Sequence, residues 1–112
     1  MLGLKLEWQR PDISLAHLRA GGALIDLIGG RRLYGEATDR QIGLDHFCLC
    51  LNGFSADQVA RHLSAYGIHS DNPTLRNGAM GDGYSIYLRD PDGYGVELPG
   101  AGVVVNGVSK RF

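Results

Sequence analysis

Gly43-Leu44-Asp45-His46-Phe47-Cys48-Leu49 and the later Ser85-Ile86-Tyr87-Leu88-Arg89-Asp90-Pro91-Asp92-Gly93-Tyr94-Gly95-Val96-Glu97-Leu98 decide how this chain reads. The first is an apolar strand, Leu44 to Leu51, with one imidazole near its start and a composition that suits burial on both faces. The second is two apolar strands, Tyr84 to Leu88 and Tyr94 to Leu98, around a tight turn. Pro91 pre-sets the φ of the turn's second position and Gly93 supplies its exit. Between the two stretches, Ser55-Ala56-Asp57-Gln58 has the form of a capping box, serine as N-cap and glutamine three residues on. Val59, Leu63 and Tyr66 follow at helical spacing, and Gly67 is a ready C′ residue, so one helix of about three turns is expected. His69 to Met80 is a weaker extended stretch, interrupted by Pro73 and Gly78. From Leu44 onward the order is therefore β-α-β-β-β.

Working outward, the first half carries strands and no helical pattern. Leu2, Leu4, Leu6 and Trp8 alternate with Gly3, Lys5 and Glu7, which predicts a half-buried strand over Leu2 to Trp8. Pro11 ends it. Ile13 to Arg19 and Ala23 to Ile28 are two further strands, joined at Ala20-Gly21-Gly22 by a hairpin signal. This half reads as the same unit without its opening strand and helix. The expected architecture is α+β, two βαβββ modules with the first abbreviated. Residues 1–28 are the abbreviated module, 29–43 a polar linker, 44–100 the second module and 101–112 a tail. Val103-Val104-Val105 in that tail is either an edge strand or a frayed end.

Composition narrows the function classes. At 112 residues the chain is one domain, small but able to bury a core. A formal net charge of -1 argues against nucleic acid or anionic lipid as a partner, and Arg31-Arg32 and Lys110-Arg111 read as solvated loop and tail charges. No apolar run reaches the ~20 residues of a membrane span, and no basic-then-apolar leader opens the chain, so a cytoplasmic protein is expected. Seventeen glycines, against about eight expected at ~7%, fall mostly between apolar runs and punctuate short strands. Cys48 and Cys50 sit two apart in a strand, on one face and too far apart for a relaxed disulfide. Without a second pair they do not complete a four-sulfur site, and they read as small buried residues. Walker and Gly-x-Ser-x-Gly motifs are absent.

The L-D-H strand together with the D-P-D-G-x-x-x-E-L hairpin resembles the vicinal oxygen chelate superfamily, which includes glyoxalases, bleomycin-resistance proteins and extradiol dioxygenases. Leu15-Ala16-His17-Leu18-Arg19-Ala20-Gly21-Gly22-Ala23-Leu24-Ile25-Asp26-Leu27-Ile28 looks like the last two strands of such a family's first module. The resemblance implies curved sheets forming a cup around a metal or ligand. It puts His46 on the family's metal-binding histidine of module two, Glu97 on the carboxylate of its last strand, and Asp26 on the module-one carboxylate. The family's opening strand and helix of module one are not visible after Met1. The chain is therefore expected either to lack its native start or to cover the exposed sheet edge with a partner, and in both cases to form a homodimer.

One imidazole and two carboxylates suit a divalent ion such as Zn, Mn, Fe, Co or Ni, with positions open for water or substrate. The expected activity is that of a small metal-dependent glyoxalase- or dioxygenase-type enzyme, acting on a small oxygen-rich substrate chelated to the metal. Glu97 is the candidate catalytic base, and His46, Glu97 and Asp26 are the candidate ligands. Cys48, Tyr84, Tyr87 and Arg89 are candidates for touching substrate, Cys48 because it shares strand parity with His46. Arg89 has a competing use in tying down the Asp90–Gly93 turn. His17 lines the cup or faces a packing helix, while His62 and His69 read as surface residues. Arg76 to Tyr84 is glycine-rich and reads as a mobile flap at the cup's mouth. The rival expectation is a metal-free dimer that sequesters a drug-like molecule in a groove lined by Trp8, Phe47, Tyr84 and Tyr87, as the bleomycin-resistance type does.

Overall fold

A computed structural model describes residues 2–29, 43–105 and 108–110. The chain divides into two compact units, 1–43 and 44–112. Most of the expected linker, including Arg31-Arg32, lies outside the described residues, as does Arg111 of the tail pair.

In the first unit, strands β1 (Lys5–Arg10), β2 (Leu15–Ala20) and β3 (Ala23–Ile28) form an antiparallel sheet in that order. The extended backbone begins later than the alternation of Leu2 to Trp8 predicts, because Gly3 takes a φ of +66° and β1 pairs only where β2 lies opposite, from Lys5↔Arg19 to Arg10↔Leu15. Pro11 ends the strand as expected and opens a short 3-10 turn, Pro11–Ile13. A register shift between Leu6 and Trp8 sets Glu7 in a bulge, where Arg19 grips both its carboxylate oxygens at 2.6 and 2.7 Å. Among the described residues this unit has no α-helix.

The second unit follows the β-α-β-β-β order. Its elements are β4 (His46–Cys48), α1 (Ala56–Ala65), β5 (Thr74–Gly78), β6 (Gly81–Arg89) and β7 (Gly95–Pro99). The sheet order is β4-β7-β6-β5, with β4 parallel to β7 and the other pairs antiparallel. Two expectations are corrected here. The strand expected over Leu44 to Leu51 is only three residues long, and Leu44 and Leu49 are 64% and 51% exposed rather than buried. As the edge of the sheet, β4 has a partner on one side only among the described residues. The segment expected as a flap is instead a hairpin, because β5 and β6 pair without interruption from Thr74↔Ser85 to Gly78↔Gly81. In the tail, β8 (Val103–Val105) and β9 (Val108–Lys110) form a further hairpin.

Helix α1 begins and ends as its sequence dictates. The Ser55 hydroxyl accepts from the Gln58 N–H at 3.2 Å, and the Gln58 side chain accepts from the Ser55 N–H at 2.8 Å. At the other end Ile68 N–H donates to Leu63 O and Gly67 N–H to Ser64 O, with Gly67 at φ +74°, which is a Schellman stop. Ser55→Ala is expected to cost about 1 kcal/mol, read as a lower denaturation midpoint at unchanged m-value.

The core of this unit forms where α1 covers one sheet face. Ala56 and Val59 pack with Ile86 of β6 and Val96 and Leu98 of β7, flanked by Ala60, Leu63 and Leu88. The approach is close at Gly100, where a Cβ would fall 2.5 Å from the Ala56 nitrogen. Because strand side chains alternate, burying Ile86, Leu88, Val96 and Leu98 under the helix turns Ser85, Tyr87, Arg89 and Glu97 to the opposite face.

Candidate functional site

That opposite face of the second unit carries the candidate site. Parallel pairing sets His46 beside Gly95 and Cys48 beside Glu97, so His46 and Glu97 are diagonal neighbours on one face. His46 Nε2 lies 3.2 Å from Glu97 Oε2, and His46 Nδ1 lies 2.6 Å from Asp45 Oδ2. Asp45 reaches the ring because it stands just before β4 begins, where strand alternation does not yet separate neighbours. The two strands meet this closely because residue 95 is glycine. A Cβ there would sit 2.8 Å from the Asp45 carbonyl oxygen and 2.9 Å from His46 Cβ.

Tyr87 stands directly across from Glu97 on β6, its ring edge-on to His46 with centroids 5.3 Å apart. Beyond it, the Arg76 guanidinium lies 5.5 Å from the Tyr87 ring centroid. Hydrogen bonding to Glu97 lifts the His46 pKa to about 9 against the opposing pull of burial, with Asp45 adding to the rise. Burial pushes the Glu97 carboxyl up, but hydrogen bonds from His46, Ser85 and Tyr87 outweigh it and hold the group below the ordinary carboxylate range. The Tyr87 phenol is raised by burial and then by the Glu97 charge, so it stays protonated at neutral pH. In the metal-free protein the pair is an imidazolium facing a carboxylate.

The remaining expected residues divide. Cys48 and Tyr87 share the face of Glu97. Arg89 shares it too, and its Nη1 donates to the Gly93 carbonyl at 2.8 Å, the turn-tying use weighed from sequence. Tyr84 is not brought to this site: it has the parity of Ile86 and Leu88 and projects to the helix-side face. Asp26 stands on β3 of the first unit, opposite His17, whose Nδ1 is 3.1 Å from Asp26 Oδ1. His17 is buried, edge-on to Trp8, with no partner for Nε2 among the described residues. No group of three or more His, Cys, Asp or Glu side chains is gathered to hold a metal among the described residues. Sequence reading missed Asp45, Ser85 and Arg76. Asp45 stands inside the L-D-H motif; Arg76 lies where the extended stretch and the flap readings overlap, and its face follows only from the β5–β6 register.

The chain is 36% identical over 70 residues to the glyoxalase domain-containing protein RDO1 of Mycosarcoma maydis. Over that stretch the chain is similar to a glyoxalase domain, in line with the resemblance to the vicinal oxygen chelate superfamily. That match covers 62% of this chain and 39% of the relative, so it spans about two fifths of the relative's length. No protein-family profile matches the chain. Among solved structures, an integron cassette protein from the mobile metagenome of V. cholerae is 27% identical, covering 88% of this chain and 76% of that one, at a TM-score of 0.44. Virulence protein STM3117 from Salmonella typhimurium is also 27% identical, covering 76% and 68%, at 0.43. Lactoylglutathione lyase from Agrobacterium tumefaciens is 23% identical, covering 87% and 75%, at 0.34. These scores lie below 0.5 and decide nothing about the superfamily fold, which rests here on strand order and register. No described helix is long and apolar enough to cross a membrane.

Proposed function

We propose that this chain is a small metal-dependent vicinal oxygen chelate enzyme of the glyoxalase or dioxygenase type, working as a cytoplasmic homodimer on a small oxygen-rich substrate. The observation that carries the reading is the 3.2 Å separation of His46 Nε2 and Glu97 Oε2. Two donors that each sit about 2.1 Å from one ion stand about 3 Å apart, so the pair fits adjacent positions around Zn, Mn, Fe, Co or Ni. Asp45 supports it: a carboxylate on Nδ1 fixes the tautomer that leaves the Nε2 lone pair for the ion. Asp26, the third ligand that family resemblance implies, belongs to the proposal on that ground alone. A bound ion supplies Lewis-acid polarisation of substrate oxygens.

The chain's own residues do the rest. Glu97, half-buried and ionised, takes a proton from the substrate; Tyr87, protonated, offers a neutral donor beside it. Apolar side chains left open along the β4 edge, Leu44, Phe47 and Leu49 among them, support a second copy as partner. One observation favours the metal-free binding protein instead: His46 and Glu97 already satisfy each other. Metal content by elemental mass spectrometry, on protein purified without chelator or nickel resin, separates the two. Near-stoichiometric metal that disappears in His46→Ala and in Glu97→Ala is expected. Wild-type protein that stays empty after incubation with Zn, Mn, Fe, Co and Ni sinks the enzyme reading.

A further inference from the structure

Arg76 stands on β5 opposite Gly83, a position with no side chain to cover it, and on the face that carries Tyr87 and Glu97. Its guanidinium is held over the Tyr87 ring, and its Nη1 donates to the carbonyl of its own neighbour Leu75, at 3.2 Å. The guanidinium also hydrogen-bonds the Tyr87 hydroxyl, so of the five N–H donors it offers these two bonds leave three open. No carboxylate of the described residues lies within ion-pair distance of it. Glu97, which shares the face, is taken by His46, and Asp45 by the other ring nitrogen. Arg19 and Arg10, by contrast, are each closed on a carboxylate. Arg89, on the same face, is tied to the Gly93 carbonyl, whereas Arg76 presents an exposed, pre-oriented fork beside an aromatic ring whose other edge borders His46.

We infer that Arg76 is the specificity-determining residue of this site, pairing bidentately with a carboxylate of the substrate while Tyr87 packs against its carbon frame. The substrate class is accordingly a small, oxygen-rich carboxylic acid. This rests on the His46 and Glu97 face being the substrate site, as proposed above, but not on the metal. A planar fork selects a carboxylate by two parallel N–H···O bonds, and such charge-assisted pairs are about twice as strong as neutral ones. A neutral ester of the same shape loses both the charge and one acceptor.

The test uses metal-free protein and two probes, malate and dimethyl malate, followed by NMR titration of the Tyr87 ring and the amides of residues 83–87. Malate is expected to saturate wild type and to bind Arg76→Ala at least tenfold more weakly. Arg76→Lys should recover only part of the loss, and dimethyl malate should be indifferent to all three. An absent malate response in wild type, or one that Arg76→Ala leaves unchanged, overturns the assignment. Inorganic phosphate run in parallel overturns the carboxylate class if it binds more tightly than malate with the same dependence on Arg76. The metal measurement is separate. Failure there with an Arg76-dependent malate response removes the metal chemistry and leaves this inference standing, while metal uptake with malate indifferent to Arg76 does the reverse.

Discussion

Gly95→Ala is expected to lower metal affinity at least tenfold and to cost about 1–3 kcal/mol of stability, the usual range for forcing a methyl into filled space. The contacts it meets are backbone and Cβ, the Asp45 carbonyl at 2.8 Å and His46 Cβ at 2.9 Å, so no side chain can swing aside. Relief comes from β4 moving off β7, which carries His46 away from Glu97. Two other glycines separate that effect from general damage. Gly100→Ala meets the Ala56 nitrogen at 2.5 Å and should destabilise at least as much, while the protein that remains folded keeps its metal affinity. Gly22→Ala has nothing within 4 Å and should change neither quantity. Metal titration and denaturant midpoints on the three variants check this, and equal affinity in wild type and Gly95→Ala would refute the account of how β4 is placed.

Metal uptake is expected to be steeply pH-dependent, because the proton and the ion compete for His46 Nε2. With the imidazole raised to about 9, binding at pH 7 must displace about one proton. Affinity should rise about tenfold per pH unit, hence about a hundredfold between pH 7 and 9, and level off above. Calorimetric titration in two buffers of different ionisation heat counts the proton, and a count of zero contradicts the geometry. Stability of the metal-free protein runs the other way. His46 has its folded pKa above the unfolded one, so its contribution is complete below the ordinary value of about 6.5 and fades as pH rises through about 9. Glu97 has its folded pKa depressed, so its share is present above the ordinary carboxylate pKa and fades as pH falls through the lower folded value. The ion pair therefore helps most between about pH 4.5 and 6.5. Metal retention and metal-free stability have opposite optima.

What was legible beforehand is what short-range chemistry controls. The capping box named α1 to the residue, Gly67 named its end, and the D-P-D-G turn named the hairpin that carries Glu97. Strand ends were less legible, because they are set by where the partner strand stops. The beginning of β1 at Lys5 and the start of β6 at Gly81 both follow from register. The parallel docking of β4 on β7 had no local signal beyond Gly95, whose meaning appears only when Asp45 and His46 lie against it. Tyr84 was mis-sided for a simpler reason: three residues from Tyr87, it has the opposite parity. Arg76 has no face in a segment read as a flap; the β5–β6 register supplies it.

The parallel edge strand also sets when the site comes into being. His46 and Glu97 are 51 positions apart, and β4 joins the sheet through three residue pairs, so its docking is expected to follow the helix and the local hairpins. Closing so large a loop for so few contacts is entropically late in any folding sequence. The same economy is expected to make β4 open before the central strands β6 and β7. Amide exchange at Phe47 and Cys48 should be fast relative to Ile86, and slow when an ion ties His46 to Glu97. The imidazole is thus carried by a strand expected to join the sheet late and to open early, and occupancy of the site becomes the event that completes the sheet.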